Sequence, residues 1–378
     1  MNLLKAGIIG TSRKEHERRV AIHPDHLPRI PAPLRRQLIF EAGYGDPFGV
    51  PDERIAAQTG GLASREQLFE TCDIIVLPKP IHSDAEQMRP GQVLWGWAHA
   101  VQDATLTQLA IDRRLTLITW EGMNTWDAQG RWQSHIFRAN NEIAGFAGVL
   151  HATSLLGIAG HYGPPRKAVV THYGSVSQGA VRALQGLGFT DITVLTMEPP
   201  ASRPVSGGSV RFLQMTQEAG RLSVRSEDSR RQPLIDLLAS AGIIVNGILQ
   251  DPNRPLMFVH AHQVDRLKPG CLIVDISCDA GMGFAFARPT TFTEPVFQVG
   301  PIHYYAVDHT PSYLWNSASW EISKALLPFL ETVLAGPEAW DRDETIRRAI
   351  EIRDGVIKNS AVLSFQKRLA EYPHRRQA

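Results

Sequence analysis

Cysteine is scarce in this chain. Cys72, Cys271 and Cys278 are the only three among 378 residues. An odd, widely spaced set builds no disulfide framework and matches no zinc spacing. It predicts buried small side chains in a reducing compartment. An excess of charge of either sign is also lacking, since 39 Lys and Arg stand against 38 Asp and Glu, a formal net charge of +1. That balance removes the bulk electrostatic case for nucleic acid or an anionic membrane as partner. No apolar run approaches the ~20 residues of a membrane-spanning helix, and the first residues carry no signal-peptide core. The sequence therefore predicts a cytoplasmic protein that binds neither nucleic acid nor membrane. Repeats of solenoid period and low-complexity segments are absent too.

What is present alternates. Strand-like runs at Ala6 to Ile9, Gln37 to Phe40, Ile74 to Leu77, Val93 to Trp97 and Leu115 to Thr119 are separated by helical stretches such as Ser64 to Glu70 and Ala104 to Arg113. This order predicts a parallel sheet covered by helices on both faces. A second series follows, with strands at Ala168 to Thr171, Ile192 to Leu195, Ile243 to Val245, Leu272 to Ile276 and Tyr305 to Val307, and an amphipathic helix from Gln232 to Ala241. Between the two series lies a long helix, Asn140 to about Ile158, with Asn140 or Asn141 as its cap. Helices from Ala318 to Leu334 and from Asp343 to Lys358 close the chain. The length suits two domains. The fold class is α/β, with two Rossmann-like, doubly wound parallel-sheet domains. The nucleotide-binding domain (141–309) is inserted in a discontinuous substrate domain (1–140 and 310–378).

The second series opens on AVVTHYGSVSQGA, residues 168–180. A buried strand, a glycine turn and a helix bring backbone N–H groups and a helix N-terminus to a pyrophosphate. Read as G-x-G-x-x-G, the turn is Gly174-Ser175-Val176-Ser177-Gln178-Gly179. Gly174 and Gly179 fit; Val176 occupies the place of the middle glycine, where the backbone approaches the phosphates. Alone, the motif also reads as an ordinary α/β turn. The acid that binds ribose hydroxyls is expected about 20 residues on, at the end of the next strand. Thr196 stands there, and Arg203 in the following loop can pair with a 2′-phosphate. These favour NADP(H). Glu198, in another register, favours NAD(H).

In open α/β sheets, ligands bind beyond the carboxyl ends of the strands. Lys79 follows one such end, His99 a second and Arg19 the first. An oxo acid needs a fixed cation for its carboxylate and a group of near-neutral pKa at its carbonyl oxygen. Each residue also has a plainer reading: Arg19 as a solvated loop charge, Lys79 as a surface turn residue, His99 as a satisfied core histidine. In the second series Asp275 and Asp279 flank a strand end, where Asp279 serves equally as a turn cap. Asp308 and His309 close the last strand.

Four segments together resemble a known family: Arg19-Val20-Ala21-Ile22-His23-Pro24, Leu77-Pro78-Lys79-Pro80, the strand ending at His99, and Val274-Asp275-Ile276-Ser277-Cys278-Asp279 with Asp308-His309-Thr310-Pro311-Ser312. Gly43-Tyr44-Gly45-Asp46-Pro47-Phe48 is similar as well. The family holds N5-(carboxyethyl)ornithine synthase, alanine dehydrogenase and the fungal-type saccharopine dehydrogenases, and the likeness runs through nearly the whole chain. It implies that Arg19 grips a substrate carboxylate, that Lys79 and His99 are catalytic, and that Asp279 lies near nicotinamide and substrate. Gly174, Ser175, Val176 and Ser177, with Thr196, Arg203, Asp308 and His309, then face the cofactor. The Asp-His-x-Pro-Ser form resembles the synthase and saccharopine members.

The implied activity is NAD(P)H-dependent reductive condensation of a pyruvate-like 2-oxo acid with an amine of an ornithine- or lysine-like amino acid. Saccharopine dehydrogenase and alanine dehydrogenase are the alternatives within the family. A non-catalytic nicotinamide-nucleotide-binding module is the alternative outside it. The expected partners are these small molecules, no metal is implied, and a homo-oligomer is compatible with the sequence.

Overall fold

The computed structural model describes residues 3–198, 210–218, 220–225, 230–248, 250 and 255–377. It is an α/β chain of two compact units, Met1–Arg138 with Trp315–Ala378, and Ala139–Leu314.

The first unit is built on an eight-stranded sheet. Its six parallel strands run in the spatial order Thr116–Thr119, Val93–Gly96, Ile74–Val76, Ala6–Ile8, Leu38–Glu41 and Leu62–Ala63. Both faces are covered, which is why these runs are apolar without interruption. Successive side chains go to opposite faces: Ile74, Val76 and Trp95 join one core, Ile75, Leu77 and Leu94 the other. The helix Arg65–Thr71 opens on a capping box in which Ser64 and Gln67 satisfy each other's backbone N–H groups.

The end of the chain departs from expectation. The region predicted as a helix from Asp343 to Lys358 is helical only over Glu344–Ala349. It then forms a hairpin of Ile350–Arg353 and Val356–Ile357, which adds two antiparallel strands beside Thr116–Thr119. Ile350 and Ile352 enter different cores across an irregularity in the strand pairing, and Asp354 and Gly355 both take positive φ, 52° and 81°. Asp-Gly is a strong two-residue hairpin signal, and it overrides the helical spacing of charges before it. The helix predicted from Ala318 to Leu334 is likewise divided, into Trp315–Leu326 and Leu330–Ala335, around a 3-10 turn containing Pro328.

The second unit holds a nine-stranded sheet. Six parallel strands lie in the order Val210–Glu218, Asp191–Thr196, Lys167–Thr171, Ile243–Asn246, Leu272–Asp275 and Ile302–Tyr305. The last strand starts earlier than predicted because it forms a hairpin with Val296–Val299 and buries Ile302 and Tyr304. In both units the strand order is that of a doubly wound Rossmann fold, reversing direction at the first strand. The helix Arg138–Leu155, α1, precedes the glycine turn. It begins before Asn140 and Asn141, so these lie in its first turn and do not cap it.

Candidate active site

In the first unit three strand ends converge. Beyond Ile74–Val76 the chain passes so close to the next strand that a Cβ on Gly96 would lie 1.9 Å from the Leu77 carbonyl oxygen. This brings Lys79 toward the residues that follow Val93–Gly96. Lys79 Nζ lies 2.5 Å from His99 Nε2. The Glu121 carboxylate, past the end of Thr116–Thr119, accepts from the His99 backbone N–H at 2.9 Å and lies 3.2 Å from His99 Nδ1. With Lys79 donating to Nε2, the ring proton sits on Nδ1 and points at Glu121, which fixes the tautomer as well as the ring. His99 itself has a φ of 47°, an uncommon conformation for a non-glycine residue and one found at functional positions.

Glu121 was not singled out in the sequence, although the strand-end rule that marks Lys79 and His99 marks it equally. Its Oε1 faces His99, while its Oε2 is buried and has no hydrogen-bond donor. Burial, and next the negative charge of Glu351, push its carboxyl up to about 7.

Arg19 is buried and far from a solvated loop charge. Glu17 grips it twice, Nε at 2.9 Å and Nη2 at 2.6 Å, and its guanidinium lies 4.9 Å from the ring centre of Trp97, two residues before His99. The fork geometry aims the cation. Nothing in the spacing of residues 17 and 19 announced this grip.

In the second unit the glycine turn opens the helix Ser175–Gly186, α2. Gly174 is its N-cap residue and no side chain caps it. The nearest atom to a Cβ placed on Gly174 is His172 Nδ1, at 3.6 Å. Backbone N–H groups at Ser175, Val176 and Ser177 start the helix, as a pyrophosphate requires. The residues present therefore fit a dinucleotide.

Gly179 serves a different contact from the helix–strand packing its motif position suggests. A Cβ there would lie 1.8 Å from the Glu142 carbonyl oxygen, and one on Gly145 would lie 1.7 Å from the Val176 carbonyl oxygen. The pair lets α1 and α2 meet backbone to backbone. Val176, the departure from the motif, packs toward Gly247, where a Cβ would be 3.1 Å from its Cγ1 and 2.5 Å from Ser177 Oγ. The missing middle glycine is matched by a glycine beyond the neighbouring strand.

Thr196 ends Asp191–Thr196, as expected, and its hydroxyl donates to the Glu198 carbonyl at 2.7 Å. Glu198 is exposed. Arg203 lies outside the described residues. Asp308 and His309 pair with each other, His309 buried and Asp308 half-exposed. Asp279 is partly desolvated, which raises its pKa.

Beneath these residues runs a buried polar chain that the sequence reading saw only at Asp275. The Thr171 hydroxyl donates to Asn246 Oδ1 at 2.7 Å, the Asn246 amide donates to Asp275 Oδ1 at 2.8 Å, and the Tyr304 hydroxyl donates to the second Asp275 oxygen. Each of the four residues ends, or nearly ends, a parallel strand. Burial pushes Asp275 up to about 6. Among the described residues no group of three or more His, Cys, Asp and Glu side chains is placed to hold a metal ion. None of the described helices is long and apolar enough to cross a membrane.

Comparison with known proteins finds two family models on the chain. Alanine dehydrogenase/PNT, N-terminal domain, matches residues 8–141, and alanine dehydrogenase/PNT, C-terminal domain, matches residues 149–360. An N(5)-(carboxyethyl)ornithine synthase from Clostridium botulinum is 27% identical over 321 residues, 82% of this chain and 89% of the relative. An alanine dehydrogenase from Mycolicibacterium smegmatis is 23% identical over 368 residues, 94% of this chain and 95% of the relative. Among solved structures, an L-alanine dehydrogenase superposes with a TM-score of 0.77 at 19% identity, over 96% of this chain and 99% of that one. At that identity the superposition speaks for the fold.

Proposed function

The chain belongs to the alanine dehydrogenase/PNT family and is a nicotinamide-dependent oxidoreductase, and we propose that it condenses a 2-oxo acid reductively with an amine of an amino acid. The row Lys79–His99–Glu121 carries this reading. A module that only bound the nucleotide would have no use for it. The choice of an amino-acid amine over ammonia draws on the synthase relative and on the Asp308-His309-Thr310-Pro311-Ser312 stretch.

The balance of the reaction sets the tasks. An ammonium group, a 2-oxo acid, the reduced nicotinamide and one proton become a secondary ammonium, water and the oxidised nicotinamide. The nicotinamide supplies the hydride when bound. Arg19, aimed by Glu17 and Trp97, holds the oxo-acid carboxylate. A neutral Lys79 takes a proton from the amine and passes one to His99 Nε2, while Nδ1–H passes its own to Glu121. The amine is then free to attack the carbonyl carbon. The reverse pass protonates the departing hydroxyl so that water leaves and the imine forms. Such positioned acid–base groups are worth about 10² to 10⁴ in rate. Gly174, Ser175, Val176 and Ser177 would hold the pyrophosphate, Asp308 and His309 would complete the cofactor side, and Asp279 would bind substrate next to the nicotinamide. The neutral Thr196 at the ribose position favours NADP(H).

Initial rates of NADPH and NADH oxidation test this with pyruvate, glyoxylate or 2-oxoglutarate against ammonia, ornithine and lysine. Oxidation that needs both an oxo acid and a diamino acid is the expected result. Oxidation with ammonia alone would instead make the chain an amino-acid dehydrogenase, the reading its alanine dehydrogenase relatives support. Cofactor binding with no oxidation in any mixture would sink both.

A further inference from the structure

The acid–base row does not end at Glu121. Its buried, donor-less Oε2 is costly as an anion. The C-terminal hairpin brings Glu351, also buried, within reach of it, so that the Glu351 charge acts on Glu121. Ile350 and Ile352 pair with Ile118 and Leu117 of the strand that leads to Glu121. The two stretches touch so closely that a Cβ on Gly122 would lie 2.9 Å from Ala349 Cα. Glu351 takes a hydrogen bond from Asn359 Nδ2 at 3.1 Å, and burial raises its pKa. The facing groups are Glu121 and, through it, Lys79 and His99. His135 contacts the same turn through the Trp120 carbonyl.

Glu351 lines a cavity of about 570 Å³ within the same unit, together with Gly122, which follows Glu121 in the chain. The walls carry Asp341, Arg347, Arg348, Arg353 and Lys358. Arg353 is tied to Asp341, Arg347 and Arg348 to Glu344. A roomy, charged cavity is a place for water.

We propose that Glu351 is the proton port of the Lys79–His99–Glu121 row, exchanging a proton with Glu121 on one side and with water in this cavity on the other. The inference rests on the proposed reaction, which takes up one proton per turnover. A closed row returns only the proton it removed, so a net uptake needs an entry. Each step breaks one O–H or N–H bond and forms another: hydronium in the cavity to Glu351, leaving water, Glu351 to Glu121, and the reverse for release. No oxidant or further reactant is needed. Glu351 touches no substrate; it acts through Glu121.

Glu351→Gln tests the port, with Glu351→Asp as the conservative partner and thermal melts to show that both fold. With the full-length enzyme, Glu351→Gln is expected to lower kcat at least about tenfold, less than the about 10²–10⁴ of a group that acts on the substrate directly. KM for the oxo acid should hold. The solvent deuterium isotope effect should grow, formate should restore part of kcat, and Glu351→Asp should keep more of it. Unchanged kcat and isotope effect would overturn the port. A second readout needs no turnover. Infrared difference spectra between acid and neutral pH should show a protonated-carboxyl band that vanishes in both Glu121→Gln and Glu351→Gln. Its survival in Glu351→Gln would overturn the proposal even if no substrate pair had been found. Its loss in both variants, alongside an enzyme that oxidises no cofactor, would uphold the shared proton and count against the proposed reaction.

Discussion

The two units repeat one strand order and load the strand ends in opposite ways. In the first, long charged side chains stand there: Lys79, His99 and Glu121 in a row, with Arg19 held by Glu17. In the second, the ends carry a glycine turn, a helix N-terminus and short polar groups closed on one another, Thr171, Asn246 and Asp275 with Tyr304. Common architecture thus fixes where a site sits and says little about what it does. The first unit lines up titratable side chains. The second presents backbone N–H groups at a helix start, over a polar layer whose members are already satisfied.

The largest expected effect separates these two roles. Lys79→Met and His99→Ala should each lower kcat by about 10² to 10⁴ while leaving cofactor affinity, read by NADPH fluorescence titration, near the wild-type value. Near-normal turnover in both variants would erase the contrast. A second perturbation acts on the other unit. Gly179→Ala forces a methyl against the Glu142 carbonyl oxygen, 1.8 Å from the ideal Cβ, and should cost about 1–3 kcal/mol as overpacking does. Denaturant melts followed by hydrogen exchange should locate that loss in residues 139–314; a uniform loss over both units would show that they do not melt separately.

The smallest effect is one of pH. Asp275 has a folded pKa of about 6 against an ordinary 3.8. Between those values the folded state binds the extra proton, so its contribution is complete below about 3.8 and is lost as pH rises to about 6. Asp275→Asn imitates the protonated acid, accepting from Asn246 and donating to Tyr304. Its stability should stay flat across that interval while the wild type declines, as thermal melts at stepped pH would reveal. Parallel slopes would mean that Asp275 is ionised throughout.

Much of this was legible in the sequence. Buried parallel strands announce themselves as unbroken apolar runs, so their ends, with Lys79, His99, Gly174 and Thr196, could be located. Arg19 was named for its charge, but it and Glu17 lie in irregular backbone, where no helix or strand period announces which side chains meet. Glu351 was hidden by its neighbours. Glu344, Arg347 and Arg348 have helical spacing and do form a helical turn, which masked the Asp354-Gly355 reversal just beyond. Val176 looked like damage to a motif because Gly247, which makes room for it, lies on a different strand's loop. Packing between segments distant in the chain leaves no local pattern to read.

The returning hairpin also has a consequence in time. The strand Thr116–Thr119 receives its neighbour from residues about 230 positions later, as the bond from Thr119 to Ala349 records. At a synthesis rate of about 5–20 residues per second, that interval is ~10–50 s. Until it closes, the nascent chain carries an open sheet edge of the kind that invites wrong partners. The continuous stretch 139–314, by contrast, is complete before the hairpin exists. On the ribosome, the unit with the glycine turn can therefore be finished first, and the unit with Lys79, His99 and Glu121 is completed only when the last strands arrive.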